Sequence, residues 1–314
     1  MEWYYILGII IVCIILLVIL MSYICYRLTF YSKGDIKKNK TIILPDDEIF
    51  TTYKPQIMND IEDVKKFEHT DLYIKSFDGL TLHASYYEYQ KGAPVEIMFH
   101  GYKGSAIRDM SSGVKRAFKC KRNALLVDQR ASGPSEGHII TFGIKERFDC
   151  ISWINKAIEI FGSDVKIIIA GVSMGAATVL MASSMSIPKN VKGVIADCGY
   201  NKPSDIIKKV IKDMKVPVFL AYPFVKLGAK IFGHFNLEEA SPYESVQKTN
   251  IPIIFIHGDK DKLVPHDMSQ KLYDACKSKK KLVTIKDSPH GVSYLVDPDS
   301  YIEGIESFFI NDEL

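Results

Sequence analysis

The sequence has little net charge, few cysteines and no repeated or low-complexity tract. It contains 40 Lys and Arg residues against 37 Asp and Glu residues, a net charge of +3 over 314 residues, so a nucleic-acid partner has no electrostatic basis. The six cysteines include no Cys-x-x-Cys pair, which gives no support to a disulfide framework, a zinc ribbon or a redox motif. A composition that is 47% hydrophobic and 25% charged is typical of a folded globular protein and not of a disordered chain.

The N-terminal part contains a long run without charged residues. Residues 3–26 are dominated by Ile, Leu and Val and have aromatic residues at both ends, where such rings favour the membrane interface. At about 1.5 Å per residue, a helix of this length crosses the ~30 Å hydrocarbon layer of a bilayer. A cleaved signal peptide would need a basic start and a small-residue cleavage site, but Glu2 is the only charged residue before the run. We therefore predict an uncleaved transmembrane anchor over residues 1–27.

Basic residues follow this run closely, and none precedes it. The positive-inside rule therefore places the C-terminal part of the chain in the cytoplasm, with the protein in the cell membrane as a single-pass protein. The residues on which this orientation depends are Arg27, Lys33, Lys37, Lys38 and Lys40.

A polar connector over residues 28–70, with one short predicted helix around residues 59–67, leads to a pattern of alternating strands and helices. The pattern predicts strands at residues 72–77, 80–88, 95–99, 124–127, 165–170, 191–196, 252–257 and 282–286, and helices at residues 144–160, 174–185 and 268–276. The first two strands form a hairpin around the two-residue turn Asp78-Gly79. Repeated strand–helix units indicate an α/β domain over residues 71–314, with a mostly parallel central sheet flanked by helices.

The strongest local motif follows the predicted strand at residues 165–170. Gly171-Val172-Ser173-Met174-Gly175 lies between that strand and a predicted helix, which is the setting of a nucleophile elbow. Glycines keep this turn tight, so the turn lifts the serine hydroxyl clear of the sheet at the positive end of the helix. Ser173 is therefore the predicted catalytic nucleophile.

A catalytic serine needs a base, and the base needs a carboxylate that orients it. In this setting the chain order is serine, acid, histidine. We predict His290, after the last strand, as the general base and acid. Asp261, after the preceding strand, is predicted to orient that histidine, with Asp259 and Asp197 as alternatives. His257, Asp259 and Asp261 also allow a metal-ligand interpretation, which no further histidine cluster supports.

A tetrahedral oxyanion needs two preorganised N–H donors. The backbone N–H of Met174, at the start of the helix after Ser173, is one predicted donor. The other is the backbone N–H of Tyr102, in the loop after the predicted strand at residues 95–99. His100 begins that loop, and we interpret it as a structural hydrogen-bonding group and not as a base.

Several segments together resemble the α/β-hydrolase fold family, in the broad group of membrane-anchored, serine aminopeptidase-like hydrolases. They are His100-Gly101, residues 128–137, residues 171–175, residues 257–265 and Pro289-His290-Gly291. The segment at residues 128–137 departs from the family pattern at Ala131 and Pro134, where glycine and a variable residue are more usual. The resemblance covers about residues 72–310. It implies hydrolysis of an acyl bond without a cofactor, and it implies that residues 128–137 shape the rim of the site.

A small cap insertion is predicted at about residues 200–245, between two strands. Its apolar, proline-interrupted segment at residues 216–225 is either a wall for an acyl chain or the cap's own core.

We expect a serine hydrolase of the esterase or lipase kind, acting on a small-molecule or lipid-like acyl substrate without an obligate protein partner. The alternatives are a serine aminopeptidase-type peptidase or an acyltransferase on the same triad, and a non-catalytic membrane scaffold.

Overall fold

The computed structural model of this chain describes residues 2–33 and 48–309. Within these residues it contains one eight-stranded sheet and eleven helices. The strands are β1 (Thr70–Lys75), β2 (Thr81–Tyr87), β3 (Val95–Phe99), β4 (Asn123–Asp128), β5 (Ile167–Val172), β6 (Val191–Asp197), β7 (Ile253–Gly258) and β8 (Lys280–Ile285). The helices are α1 (Trp3–Thr29), α2 (Glu48–Lys65), α3 (Ala106–Lys119), α4 (Glu146–Phe161), α5 (Met174–Ala182), α6 (Pro203–Asp213), α7 (Val218–Ile231), α8 (Pro242–Val246), α9 (His266–Ala275), α10 (Ser293–Val296) and α11 (Pro298–Phe309).

The sheet has the strand order β1-β2-β4-β3-β5-β6-β7-β8. β2 is antiparallel to both β1 and β4, and all the other neighbouring strands are parallel. The predicted mostly parallel sheet flanked by helices is therefore confirmed. Because the carboxyl ends of the parallel strands meet at one edge, the loops after β3, β5, β6, β7 and β8 lie near one another.

The hairpin between β1 and β2 differs from its prediction. The backbone N–H of Ser76 donates to the carbonyl oxygen of Leu80, so Phe77, Asp78 and Gly79 form a three-residue loop, and the predicted two-residue turn is wrong. Gly79 has a φ of 90°. A glycine with positive φ in the last position is typical of three-residue hairpin loops, in which it follows a type I turn.

Alternate side chains of the central strands enter two separate cores. Ile97 and Phe99 of β3 pack with Trp153 of α4 on one face of the sheet, whereas Met98 packs with Val114 of α3 on the other. A strand that is covered on both faces needs apolar residues on both, which explains why four of the five residues of β3 are apolar and only Glu96 is charged.

Helix α2 lies in the predicted connector and is longer than the helix expected at residues 59–67. Ile57, Ile61 and Val64 are buried, at the spacing that places side chains on one face of a helix. On the same side, Lys115 of α3 bonds the carboxylate of Asp60 at 2.7 Å. Residues 34–47 of the connector lie outside the described residues. They include Lys37, Lys38 and Lys40, on which the orientation prediction partly depends.

Helix α1 is exposed over most of its length and contacts the rest of the chain near its C-terminal end. Ser22 and Tyr26 are buried, and a Cβ atom on Gly228 of α7 would overlap with the carbonyl oxygen of Ser22. By length and composition α1 can cross a membrane, although a signal sequence passes the same test.

The predicted insertion between β6 and β7 contains α6, α7 and α8. Tyr222 and Val225, from the apolar segment at residues 216–225, pack in a third core with Tyr26 of α1 and with Phe30, which directly follows α1. Of the two interpretations of this segment, a wall for an acyl chain or a hydrophobic core, the packing fits the hydrophobic core. Phe219 of the same segment is 83% exposed.

Candidate active site

Ser173 lies at a tight turn between β5 and α5. Its φ is 55°, a left-handed conformation that non-glycine residues rarely adopt and that is typical of a nucleophile elbow. Its backbone N–H donates to the carbonyl oxygen of Asp197 at 2.8 Å, which ties the turn to the end of β6. A Cβ atom on Gly175 would overlap with the carbonyl oxygen of Phe99. The turn therefore requires glycine at this position.

The structure brings His290 to this serine. The Nε2 atom of His290 lies 3.0 Å from the Oγ atom of Ser173, and its Nδ1 atom lies 2.6 Å from the Oδ2 atom of Asp261. Asp261 accepts a bond only from a protonated nitrogen, so the network assigns the hydrogen to Nδ1 and leaves Nε2 free to accept the serine proton. The three side chains form one hydrogen-bonded chain across the loops after β5, β7 and β8.

Asp261 is held as a carboxylate. Its Oδ1 atom accepts the backbone N–H groups of Leu263 and Val264 at 2.9 and 2.8 Å. Burial by itself would raise the pKa of Asp261, but the hydrogen bonds from His257 and His290 outweigh burial and hold the pKa well below its ordinary value. The charge that would stabilise a protonated His290 is therefore present over the whole physiological pH range.

His257 is a second histidine on this carboxylate, a role that the sequence interpretation missed. Its Nε2 atom lies 3.1 Å from Asp261 Oδ2 and 2.8 Å from the Val264 carbonyl oxygen, and its Nδ1 atom lies 2.6 Å from the Ser269 hydroxyl. Two acceptors at Nε2 assign a hydrogen to that atom, which donates to Asp261. This contact could have been predicted locally, because His257 is the second-last residue of β7 and lies only four residues before Asp261.

The two alternative acids have other partners. The Oδ1 atom of Asp259 accepts the backbone N–H of Asp287 at 2.7 Å, so this side chain stabilises the turn after β8. The Oδ2 atom of Asp197 accepts the hydroxyl of Tyr301 at 3.0 Å. No hydrogen bond joins either carboxylate to His290 among the described residues.

The loop after β3 passes directly over the serine. A Cβ atom on Gly101 would lie 3.7 Å from the Cβ atom of Ser173. The next residue, Tyr102, has no hydrogen bond from its backbone N–H within the described chain. The backbone N–H of Met174 is in the first turn of α5, where helical N–H groups lack a partner in the helix. His100 accepts the Gln129 backbone N–H at its Nε2 atom, 3.0 Å away, and so bonds the neighbouring loop.

The predicted rim loop at residues 128–137 is fixed by buried ionic contacts. The Arg130 guanidinium bonds both carboxylate oxygens of Asp149, each at 2.7 Å. Ala131 has a φ of 63°, a left-handed conformation in which glycine is unstrained. This conformation explains why glycine is more usual at the position in the family that the sequence resembles.

One group among the described residues has side chains that could hold a metal ion. Cys198, Asp261 and His290 have ligand atoms within 4.8 Å of one another. Burial raises the pKa of the Cys198 thiol well above its ordinary value, and a protonated thiol is a poor metal ligand. Asp261 and His290 already bond each other, so we assign this group to the serine site.

A cavity of about 280 Å³ adjoins Ser173 and His290. It follows the face of the sheet that α3 and α11 cover, and residues of β5, β6, α3, α10 and α11 line it. No residue of the insertion at residues 200–245 contributes to the lining of this cavity in the described part of the chain.

A family model described as "Serine hydrolase (FSH1)" matches residues 148–292. The matched segment contains Ser173, Asp261 and His290. This match supports a serine hydrolase.

Two bacterial proteins show similarity over part of the chain. YqkD of Bacillus subtilis (strain 168), described as uncharacterized, is 25% identical over 194 residues, which cover 60% of this chain and 62% of YqkD. YfhR of Escherichia coli (strain K12), also described as uncharacterized, is 26% identical over 171 residues, which cover 54% of this chain and 53% of YfhR. The chain therefore spans less than two thirds of the length of these relatives.

Among solved structures, the chain is similar to the Pyrococcus furiosus esterase Pf2001. The TM-score is 0.66 at 23% sequence identity, over 87% of this chain and 97% of the esterase. At this identity the likeness shows the fold alone, and it confirms the predicted fold class.

Proposed function

We propose that this chain, which has the α/β-hydrolase fold, is a membrane-anchored serine hydrolase that cleaves a carboxylic ester, including lipid-like esters, through an acyl-enzyme on Ser173. The observation that carries the proposal is the continuous hydrogen-bonded chain from Ser173 through His290 to Asp261. A serine hydroxyl alone is a weak nucleophile, and such a chain is the arrangement that activates it.

In the first step His290 accepts the Ser173 proton at Nε2 as Oγ attacks the ester carbonyl. Asp261 stabilises the resulting imidazolium through Nδ1 and does not itself take the proton. The backbone N–H groups of Tyr102 and Met174 stabilise the oxyanion of the tetrahedral intermediate. His290 then gives its proton to the leaving alcohol as the bond between the carbonyl carbon and the alcohol oxygen breaks.

In the second step water replaces the alcohol. His290 accepts a proton from water, the hydroxide oxygen bonds the acyl carbon, and the bond to Ser173 breaks as Oγ regains its proton. His257 keeps Asp261 ionised and oriented through both steps and touches no reacting atom. It is therefore a positioning residue.

The anchor proposal is supported by the length and composition of α1. In this proposal residues 1–27 span the cell membrane once, residues 28–70 connect the span to the enzyme, and residues 71–314 form a cytoplasmic catalytic domain with a cap at about residues 200–245. The basic residues after the span support this orientation. An enzyme held at a bilayer meets amphiphilic esters at high local concentration, which favours a lipid-like substrate.

A peptidase or an acyltransferase on the same triad is the alternative. A peptidase that reads a peptide terminus needs a charged side chain free to bind it, whereas Arg108 and Asp109 at the cavity bond each other at 2.6 Å. This pairing favours a neutral ester. An acyltransferase would differ only in the acceptor that enters in the second step.

The test is a panel of p-nitrophenyl esters, lipid esters and aminoacyl anilides, with the full-length protein in detergent micelles. We expect ester hydrolysis that Ser173→Ala abolishes, with anilides cleaved far more slowly. Faster cleavage of anilides than of esters would identify a peptidase. Acyl transfer to added alcohols at the expense of hydrolysis would identify an acyltransferase.

A further inference from the structure

One helix that precedes the proposed catalytic domain contributes to the cavity beside Ser173. Ile57 of α2 lines this cavity, together with Met110 of α3 and Leu295 of α10. Ile57 is 6% exposed, so bulk water reaches little of its side chain. The helix α2 lies in the segment proposed to connect the membrane span to the enzyme. Residues 71–314 therefore do not contain every residue that encloses the cavity.

Polar and apolar contacts hold α2 on α3. Val64 of α2 is fully buried and packs in the same core as Met110 of α3. One turn earlier, the Asp60 carboxylate accepts from the Ser112 hydroxyl at 2.6 Å and from the Lys115 ammonium at 2.7 Å. Hydrogen bonds to charged groups are stronger than those between neutral groups. The position of α2 is therefore fixed by its packing on α3, and this helix is part of the folded enzyme.

Ile57 bridges the two helices that border the cavity. Ile57 and Ile61 form a small hydrophobic cluster, against which Ile107 of α3 and Leu295 of α10 pack. The helix α10 directly follows the loop that carries His290. Ile57 therefore closes the space between α3 and the segment next to the catalytic histidine.

The wall of the cavity favours an apolar group of limited size. Most of the surface that the lining residues present to the cavity is apolar, and such a surface binds alkyl groups through their removal from water and through close packing. Arg108 and Asp109, which are charged, bond each other. The volume of about 280 Å³ is at the lower end of the ~300–1,000 Å³ usual for ligand pockets. An alkyl chain that enters the cavity therefore meets a wall after a limited length.

We propose that α2 is part of the acyl-binding pocket and that Ile57 limits the length of the acyl chain that the enzyme accepts. This inference rests on the proposed hydrolase function, because it requires the acyl group to be bonded to Ser173. The acyl group stays on the serine until water enters, whereas the alcohol leaves between the two steps. The cavity that adjoins Ser173 is therefore assigned to the acyl group, and the connector determines specificity as well as joining the enzyme to the membrane span.

The test measures kcat/KM for unbranched p-nitrophenyl alkanoates of increasing acyl length, with the full-length protein in detergent micelles. The wild type should show an optimum length and a fall beyond it, because the pocket is closed. Ile57→Ala should move the optimum to a longer chain. It should raise the ratio of kcat/KM between the first rejected length and the wild-type optimum by about tenfold or more, since one methylene in an apolar pocket changes specificity by about that factor. Ile57→Val, which removes one methyl group, should cause a smaller shift in the same direction.

Ile61→Ala is the matched control. Ile61 is fully buried, lies on the same helix and belongs to the same hydrophobic cluster, but it does not contribute to the cavity lining within the described residues. Both variants remove the same atoms from a buried isoleucine, so both should lower the temperature of thermal unfolding. Only Ile57→Ala should change the acyl-length optimum. If either alanine variant does not fold, the comparison of Ile57→Val with Ile61→Val decides.

Three results would overturn the role of α2 and leave the hydrolase intact. They are a wild-type profile without an optimum, an unchanged optimum in the Ile57 variants, and an equal shift in the Ile57 and Ile61 variants. A second series keeps an acetyl group and lengthens the alcohol. If Ile57→Ala alters only this series, Ile57 faces the leaving group and the acyl assignment is wrong.

Failure of the proposed function is a separate result. A wild-type protein that hydrolyses no ester and is not labelled at Ser173 by a fluorophosphonate probe would contradict the hydrolase itself.

Discussion

The Tyr102 hydroxyl donates a hydrogen bond of 2.7 Å to the backbone carbonyl oxygen of Thr29. The neighbouring Lys103 ammonium bonds the carbonyl oxygen of Leu28 at 3.1 Å. The last carbonyl groups of a helix have no partner within it, and here the loop that passes over Ser173 supplies two. The N-terminal helix is therefore bonded directly to the loop that carries a proposed oxyanion donor.

This bond predicts that helix α1 affects catalysis as well as location. Tyr102→Phe keeps the backbone N–H but removes the bond to Thr29, which is worth about 1 kcal/mol. We expect kcat to fall by about three- to tenfold with little change in KM, because the loop is held less firmly where the oxyanion forms. Steady-state kinetics on a soluble ester measures this effect. Tyr73→Phe, at a 55% exposed position on β1, is the control, and an equal loss in both variants would contradict the prediction.

The two carboxylates after β7 should differ sharply in their effect on rate. Asp261→Asn removes the charge that faces the imidazolium, so we expect kcat to fall on the order of 10³–10⁴-fold. His290→Ala removes the base and should cost on the order of 10³–10⁶-fold. Asp259→Asn is the matched control, since among the described residues the Asp259 side chain bonds only the turn at Asp287. Loss of activity in Asp259→Asn but not in Asp261→Asn would show that the acid is wrongly assigned.

The low pKa of Asp261 predicts a pH dependence of stability. Hydrogen bonds from His257 and His290 hold this pKa below its value in the unfolded chain, against the effect of burial. The carboxylate therefore stabilises the fold above the unfolded pKa, near 4, and this contribution is lost as the pH falls towards the folded pKa. Between pH 7 and pH 3, the free energy of unfolding of the wild type should fall by about 1 kcal/mol more than that of Asp261→Asn. Denaturant titrations measure it, and parallel pH profiles for the two proteins would refute it.

The proposed orientation predicts which side of the membrane the catalytic domain faces. In a variant without reactive native cysteines, Lys91→Cys introduces a thiol at an exposed position between β2 and β3. A membrane-impermeant thiol reagent should leave it unmodified in intact cells and modify it after lysis, because the basic residues after α1 favour the cytoplasm. Rapid modification in unbroken cells would reverse the assigned orientation.

The sequence predicted features that depend on local pattern. β3 begins and ends at the predicted residues, since a short, mostly apolar segment that is buried on both faces has clear boundaries. β5 instead ends at Val172, two residues later than predicted, because the backbone of Gly171 and Val172 continues the pairing with β6. The serine elbow also depends on local pattern, because glycine, strand and helix are adjacent in the chain.

Features that depend on distant residues were not predictable. The bond between Tyr102 and Thr29 joins residues 73 positions apart, and that between Asp197 and Tyr301 joins residues 104 positions apart. No periodicity indicates which buried tyrosine meets which acceptor. Such pairs arise only when the sheet order brings their elements together.

The central claim is that Ser173 is an activated nucleophile, and covalent labelling tests it most directly. The full-length protein is treated with a fluorophosphonate probe, and peptide mass spectrometry locates the adduct. The account predicts one adduct on the peptide that contains Ser173, no adduct in Ser173→Ala, and labelling slowed on the order of 10³-fold or more in His290→Ala. Undiminished labelling of Ser173→Ala, or ester hydrolysis by a wild-type protein that the probe neither labels nor inhibits, would contradict it.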